Sequence, residues 1–253
     1  MSIDFSKKPG MDLDELLSER LDIDVEFIDP SDQEAFALAR RNGIGASEAG
    51  ACLGVTPQWK TAGDIIEDKM QTERTDKDKQ VGALPAVRMG VDLEPLILSK
   101  AANALNKTVC KPTKMYRLKK YPWLTINYDG LIGEGVEFGV PVEAKVVTIA
   151  GDKYFDFGKA GEDRRPNPPA ITCDQYCREA AEMIGIPPQY YAQTQQQLMG
   201  TSADYAYLAA MRIKDWTLYL FKVYRDEYTQ TNLAINSQQI WAQVQKRRDK
   251  LNV

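Results

Sequence analysis

The residues best placed to do chemistry lie in two neighbouring stretches, Asn127-Tyr128-Asp129-Gly130 and Val142-Glu143-Ala144-Lys145. Side chains two residues apart on a strand project to the same face, so Glu143 and Lys145 point together if this stretch is extended. A tight hairpin between the two stretches brings Asp129 alongside them. Two carboxylates and an ammonium in one pocket suit a hard divalent cation. Mg2+ takes oxygen ligands and is commonly held by one or two carboxylates, waters and a substrate phosphate. Such an ion lowers the pKa of a bound water and offsets charge on a phosphate. Lys145 could hold or deprotonate that water, or offset charge as it develops in the transition state. The acid-x-Lys triplet alone is common and recurs at Glu67-Asp68-Lys69. Only the Glu143 copy falls on an expected strand with an Asp-Gly on the strand before it. The competing reading of Glu143 and Lys145 is a same-face surface ion pair.

What the sequence lacks narrows the chemistry. Among its 253 residues there is no histidine, which excludes Ser-His-Asp triads, histidine acid/base catalysis and histidine zinc sites. Catalysis must run on carboxylates, Lys, Tyr, Cys or a metal held by oxygen. The four cysteines, Cys52, Cys110, Cys173 and Cys177, are too few for a disulfide framework and fit a reducing compartment. No apolar run reaches the roughly 18 residues of a membrane span. The first residues carry no secretory-type apolar segment, so a cytoplasmic location and no membrane contact are expected. Hydrophobic residues make up 43% and charged residues 27%, enough to bury a sizeable core and to exclude a wholly disordered chain. The net charge of -4 gives no support to nucleic-acid binding, which is left to local patches.

The elements that must position these groups can be read from periodicity. Residues 1–35 are acidic and read as a mobile or loosely docked arm with a short helix near Leu13–Leu21. Residues 36–253 read as one domain. Ser47 could cap a short helix carrying Ala49, Cys52 and Leu53 on one face. A helix is expected over Thr61–Lys69, and the wholly polar residues 71–80 read as an exposed loop. A longer helix should span about Leu84–Leu105, with Leu93, Leu96, Ile97, Ala101 and Ala104 on one face and a kink or restart at Pro95. Strands follow at Met115–Leu118, Leu124–Ile132 and Gly135–Val147, the last two joined by a turn at Gly133-Glu134-Gly135.

Residues 148–172 form a loop insertion rich in Gly, Pro and charge. Asp174 should cap a helix with Cys177, Ala180, Ala181 and Ile184 inward, and a second helix covers Gln189–Met199. On that second helix Gln189, Gln193, Gln196 and Gln197 make a polar stripe that could simply face water. Tyr205–Arg212 and Trp216–Tyr224 read as buried strands, and a last helix starts near Asp226 with Leu233, Ile240, Val244 and Leu251 inward. The fold class is therefore α/β, a central mixed sheet flanked by helices.

Several motifs in the same order resemble the YqaJ-type viral recombinase family, which includes the phage lambda exonuclease, within the PD-(D/E)xK nuclease superfamily. They are RNGIGASEAGACLGV, MGVDLEP, NYDG, VEAK, IPPQYYAQTQQQL and the strand pair ending in YRDE, spread from about Arg40 to Trp241. The resemblance implies a restriction-endonuclease-like core and a set of roles. Asp129 and Glu143 resemble direct metal ligands, Glu94 the helix carboxylate that completes the site, and Ala144 a backbone-carbonyl ligand. Lys145 resembles the catalytic lysine and Gln193 the helix glutamine beside the active site. Arg40 or Arg41, with Ser47, matches the segment that holds a terminal 5'-phosphate. Asn127 stands where the lambda enzyme has a serine near that phosphate, and Tyr128 replaces the superfamily proline.

The implied activity is a Mg2+-dependent exodeoxyribonuclease, with Mn2+ as a substitute. It would degrade one strand of linear double-stranded DNA 5' to 3' and leave 3' overhangs for homologous recombination. A homotrimer, a single-strand annealing partner and the bacterial host cytoplasm are implied with it. Some relatives hold an iron–sulfur cluster with three cysteines after the nuclease motifs; only Cys173 and Cys177 follow here, so no cluster is expected. An endonuclease or flap-type nuclease of the same superfamily, or an inactive DNA-end-binding protein, are the alternatives. DNA contact would call on Lys111, Lys114, Arg117, Lys119 and Lys120, on Arg164-Arg165, and on Lys246, Arg247, Arg248 and Lys250, which otherwise read as solvated faces. Tyr116, Tyr121 and Trp123 could stack on bases or pack in the core.

Overall fold

The computed structural model describes residues 21, 23–26, 33–56, 60–73, 75–133, 135–168 and 172–251. Nine strands form two sheets among these residues. The strands are β1 (Ile23–Glu26), β2 (Ile44–Gly45), β3 (Val109–Cys110), β4 (Met115–Leu118), β5 (Leu124–Ile126), β6 (Gly130–Ile132), β7 (Pro141–Val147), β8 (Tyr205–Arg212) and β9 (Thr217–Tyr224). The helices are α1 (Gln33–Arg41), α2 (Ala49–Cys52), α3 (Ala62–Lys69), α4 (Asp76–Ala83), α5 (Pro85–Leu105), α6 (Cys173–Ile184), α7 (Pro188–Met199) and α8 (Glu227–Leu251).

The larger sheet has the order β3-β6-β7-β8-β9. Its β7–β8 pair is parallel and the others antiparallel. A parallel pair needs a crossover, and here α6 and α7 supply it. Alternation on β7 and β8 decides what each face meets. Val142, Ala209 and Met211 turn toward Ile97, Leu98 and Ala101 of α5. Leu208, Ala210 and Phe221 turn the other way, into the core shared with Cys177, Ala180, Ala181, Ile184 and Ala192. The second sheet, β1-β4-β5-β2, is also mixed, with β2 and β5 parallel. The expected single sheet is thus two sheets sharing one α/β body.

The split comes from one bend. The stretch Leu124–Ile132, expected as one strand, pairs with β4 through β5 and with β3 and β7 through β6. Between them, Tyr128 is buried and its hydroxyl donates to the Gln197 carbonyl at 3.0 Å. A Cβ at position 130 would lie 2.7 Å from Val109 Cγ1 and 2.9 Å from Leu98 Cδ2, so glycine lets β6 pack closely against these side chains. The following hairpin is also looser than expected: β7 starts at Pro141, and the connection contains a 3-10 turn at Gly135–Glu137.

Other differences have local causes. Residues 76–80 of the expected 71–80 loop lie in α4; a helix whose Val81 is exposed leaves no apolar period to read. Helix α5 runs through Pro95 unbroken. The preceding turn faces solvent at Val91, so water can take the carbonyl that Pro95 cannot bond. Ile97, Leu98 and Ala101 are buried, but Leu96 is exposed, as is Leu251 on α8. Thr172, not Asp174, is the residue that precedes α6. Within the N-terminal segment, residues 23–26 dock as β1 against β4, with Ile23 fully buried. The expected helix near Leu13–Leu21 lies almost wholly outside the described residues. The insertion after β7 runs beside the edge strand β9: Gly161 N–H donates to the Leu220 carbonyl at 2.8 Å, and Phe157 packs 4.4 Å from the Tyr219 ring. It therefore blunts a sheet edge.

Candidate functional site

Asp129 follows the bend and lies just beyond the β6–β7 register, in which Gly130 pairs with Val142. Its Oδ2 accepts the Ala144 N–H at 2.9 Å. The N–H and C=O of one strand residue point to the same edge. The Ala144 carbonyl is therefore directed toward the Asp129 side as well. Glu143 and Lys145 share the opposite face from Ala144, as strand alternation requires. Glu143 is 1% exposed, and its Oε1 accepts from both Lys145 Nζ and Gln193 Nε2. The Lys145 ammonium also lies 5.2 Å from the centre of the Tyr190 ring. The surface-pair reading of Glu143 and Lys145 is thus overturned, since Glu143 belongs to the interior.

The electrostatics follow from this packing. Burial raises the Asp129 pKa first, the negative charges of Glu143 and Glu94 raise it further, and Lys145 and the Ala144 N–H oppose them; it is pushed up to about 8. Burial alone would lower the Lys145 pKa, but Glu143 and Asp129 outweigh it and hold the ammonium above its ordinary range. Glu94 joins this set through its field, while its Oε1 is paired with Lys111 Nζ at 2.6 Å. Among the described residues, no group of three or more His, Cys, Asp or Glu side chains is assembled to hold a metal ion. Asp129, Glu143, Lys145 and Gln193 are brought together; the Glu94 carboxylate is directed to Lys111.

A second cluster lies at the end of the smaller sheet. Arg40 Nη2 donates to Ser47 Oγ at 3.3 Å and its side chain is exposed. Arg41 is buried and donates to the Glu73 carbonyl at 2.7 Å. The two arginines therefore differ in kind, and Arg40 is the one beside Ser47. Ser47 is not an N-cap; it sits inside a 3-10 turn, Ala46–Glu48, capped from Gly45 by the Glu48 carboxylate at 2.8 Å. In the parallel β2–β5 pair, Gly45 stands opposite Thr125. Ser47 and Asn127 are each two residues past that pair, so they leave the same end of neighbouring strands, and exposed Asn127 leads directly to Asp129.

Sequence reasoning missed three contributors. Gln197 is buried and donates to Glu143 Oε2. Gln196, also buried, donates to the carbonyls of Ile44 at 2.9 Å and Thr125 at 3.0 Å, tying β2 to β5. Within the glutamine stripe on α7, Gln196 and Gln197 therefore face the interior rather than water, while Gln189 and Gln193 are half-buried. Glu48 is buried against Lys69, with Nζ to Oε2 at 2.8 Å, and Lys69 also donates to the Arg40 carbonyl at 2.8 Å. Only the Glu half of a capping box is made here, Gly45 N–H to Glu48, because glycine has no side chain to return the bond, so the sequence carried no signature for Glu48.

The basic clusters are largely engaged by their own chain. Arg117 donates to the Asn42 carbonyl at 3.1 Å, and Arg247 pairs with Glu67. Arg248 donates to the carbonyls of Arg41 at 3.0 Å and Lys69 at 2.7 Å. Tyr116 is fully buried, and Tyr121 and Trp123 pack against the same core.

A family model for the YqaJ-like viral recombinase domain matches residues 35–204, more than half of the chain, a span that includes Arg40, Ser47, Glu94, Asp129, Glu143, Lys145 and Gln193. The chain belongs to this family. Its fold is that of a solved alkaline exonuclease (LHK-Exo) from Laribacter hongkongensis, with a TM-score of 0.51 and 14% identity over 85% of this chain and 95% of that one. The same enzyme in complex with dAMP superposes with a TM-score of 0.53 and 13% identity, covering 85% and 96%. No curated protein sequence matches significantly. The recombinase domain is thus restriction-endonuclease-like in fold. Among the described residues no helix is long and apolar enough to cross a membrane.

Proposed function

We propose that this recombinase domain is a Mg2+-dependent exodeoxyribonuclease that degrades one strand of linear double-stranded DNA 5' to 3', leaving 3' overhangs. The observation that carries the reading is the convergence of Asp129, Glu143, Lys145 and Gln193 around the start of β7 in a member of this family. The donor set fits a hard cation, because it is all oxygen: Asp129, Glu143, the Ala144 carbonyl and, once turned from Lys111, Glu94. Burial first, and then the charges of Glu143 and Glu94, push the Asp129 pKa up to about 8, and a bound cation would offset both. Bound Mg2+ would supply an acidified water and charge neutralisation at the scissile phosphate, with Mn2+ as a substitute.

The remaining work falls to the chain itself. Lys145, held charged by Glu143, offsets negative charge at the scissile phosphate and orients the attacking water. Gln193 fixes Glu143 from the helix side. Arg40, Ser47 and Asn127 form the receptor for a terminal 5'-phosphate, whose oxygens accept from an arginine fork, a hydroxyl and an amide. That receptor sits where β5 leads into Asp129, so binding an end sets the register of the first phosphodiester. Homotrimer assembly, pairing with a single-strand annealing protein and action in a bacterial host cytoplasm belong to the same reading.

The test compares linear duplexes with and without 5'-phosphates, and a closed circle, in Mg2+ or chelator. Loss of the phosphorylated strand alone, abolished by chelator, supports the proposal. Cutting of the circle would move the reading to an endonuclease, and no metal-dependent cleavage of any substrate would leave an end-binding protein.

A further inference from the structure

The Glu143 carboxylate is held from three sides, and the third holder has no assigned role. Oε1 takes Lys145 and Gln193, whereas Oε2 takes Gln197 Nε2. Gln197 is 1% exposed, and its backbone carbonyl is anchored by the Tyr128 hydroxyl at 3.0 Å. The amide orientation is forced, since reversing it would set a carbonyl oxygen against a carboxylate. In this orientation Gln197 Oε1 is buried with no hydrogen-bond partner among the described residues. A buried amide oxygen without a donor is unfavourable. Gln196 Oε1 is buried without a partner too, but its amide ties β2 to β5, whereas the Gln197 amide is turned to the Glu143 carboxylate.

We propose that Gln197 is a positioning residue: its amide fixes the rotation of the Glu143 carboxylate, so that Oε1 is presented beside Lys145 toward Asp129. This rests on reading Glu143 as part of a cation-binding set. Partners that orient a ligating carboxylate typically change metal affinity by about tenfold to a hundredfold when removed. Replacing Gln197 by Met keeps length and burial and removes the donor.

The experiment is calorimetric titration of Mn2+ into the full-length protein, wild type and Gln197→Met, with thermal midpoints recorded in chelator. Mn2+ binding weaker by about tenfold or more, in a variant with a wild-type circular-dichroism spectrum, is the expected result. Unchanged Mn2+ affinity in the folded variant overturns the positioning role and leaves the proposed activity standing. Absence of Mn2+ binding by the wild type overturns both. If Met at 197 prevents folding, the side-chain amide protons of Gln197 in labelled wild-type protein decide. Their shifts should move with Mg2+ along the same binding curve as the Asp129 amide, and shifts indifferent to Mg2+ overturn the proposal.

Discussion

Glu48 offers the sharpest quantitative test, because its environment is closed. Its carboxylate is 2% exposed and accepts from Gly45 N–H at 2.8 Å and Lys69 Nζ at 2.8 Å, with Lys60 Nζ at 3.3 Å. Burial alone would raise its pKa, but Lys69, Lys60 and Arg40 outweigh that and lower it from 4.5 to about 2. A depressed carboxylate pKa contributes stability that is complete above the unfolded value and lost as pH falls through the folded one. At about 1.4 kcal/mol per pKa unit, the drop from 4.5 to about 2 corresponds to about 3 kcal/mol above pH 5. The contribution falls to roughly 1 kcal/mol at pH 3 and has nearly vanished at pH 2. Glu48→Gln should therefore be destabilised by about 3 kcal/mol at pH 7, with Lys69 left buried beside a neutral amide. Urea unfolding of wild type and variant between pH 2 and pH 7 measures this directly. The two stability curves should converge as the solution is acidified. A gap of constant size across that range would refute the assignment, because it would mean that Glu48 acts by shape rather than by charge.

Asp129→Ala and Lys145→Ala should each abolish turnover while leaving the circular-dichroism spectrum and duplex binding intact; a fully active Lys145→Ala enzyme would count against the site. Arg40→Ala should erase the preference for 5'-phosphorylated ends with little change in thermal midpoint. Arg41→Ala should instead lower stability, since Arg41 is buried and bonded to the Glu73 carbonyl; equal effects from the two would contradict their separation. Ile23→Ala should cost about 2–5 kcal/mol by chemical denaturation, because Ile23 is fully buried in β1. A neutral result there would show that β1 is dispensable.

Part of the local geometry was legible in the sequence, and particular residues show why. Glu143 and Lys145 share a face because strand alternation is a local property, so their spacing was sufficient to pair them. The absence of histidine constrained the chemistry by composition alone. The helix faces of Cys177, Ala180, Ala181 and Ile184, and of Leu233, Ile240 and Val244, were read from periodicity, which is also local. The order of motifs pointed to the family that the domain match then established.

What the sequence could not carry was anything set by partners distant along the chain. The break at Asn127–Asp129 depends on which strands capture each half, β4 and β2 on one side and β3 and β7 on the other, so a run that looked like one strand serves two sheets. The separation of Arg40 from Arg41 depends on which one the Glu73 carbonyl captures. The inward turn of Gln196 and Gln197 depends on carbonyls of β2 and β5 and on a buried carboxylate. A polar side chain reads as surface in a sequence because its partners are not written beside it; only packing decides whether water or the protein satisfies its hydrogen bonds.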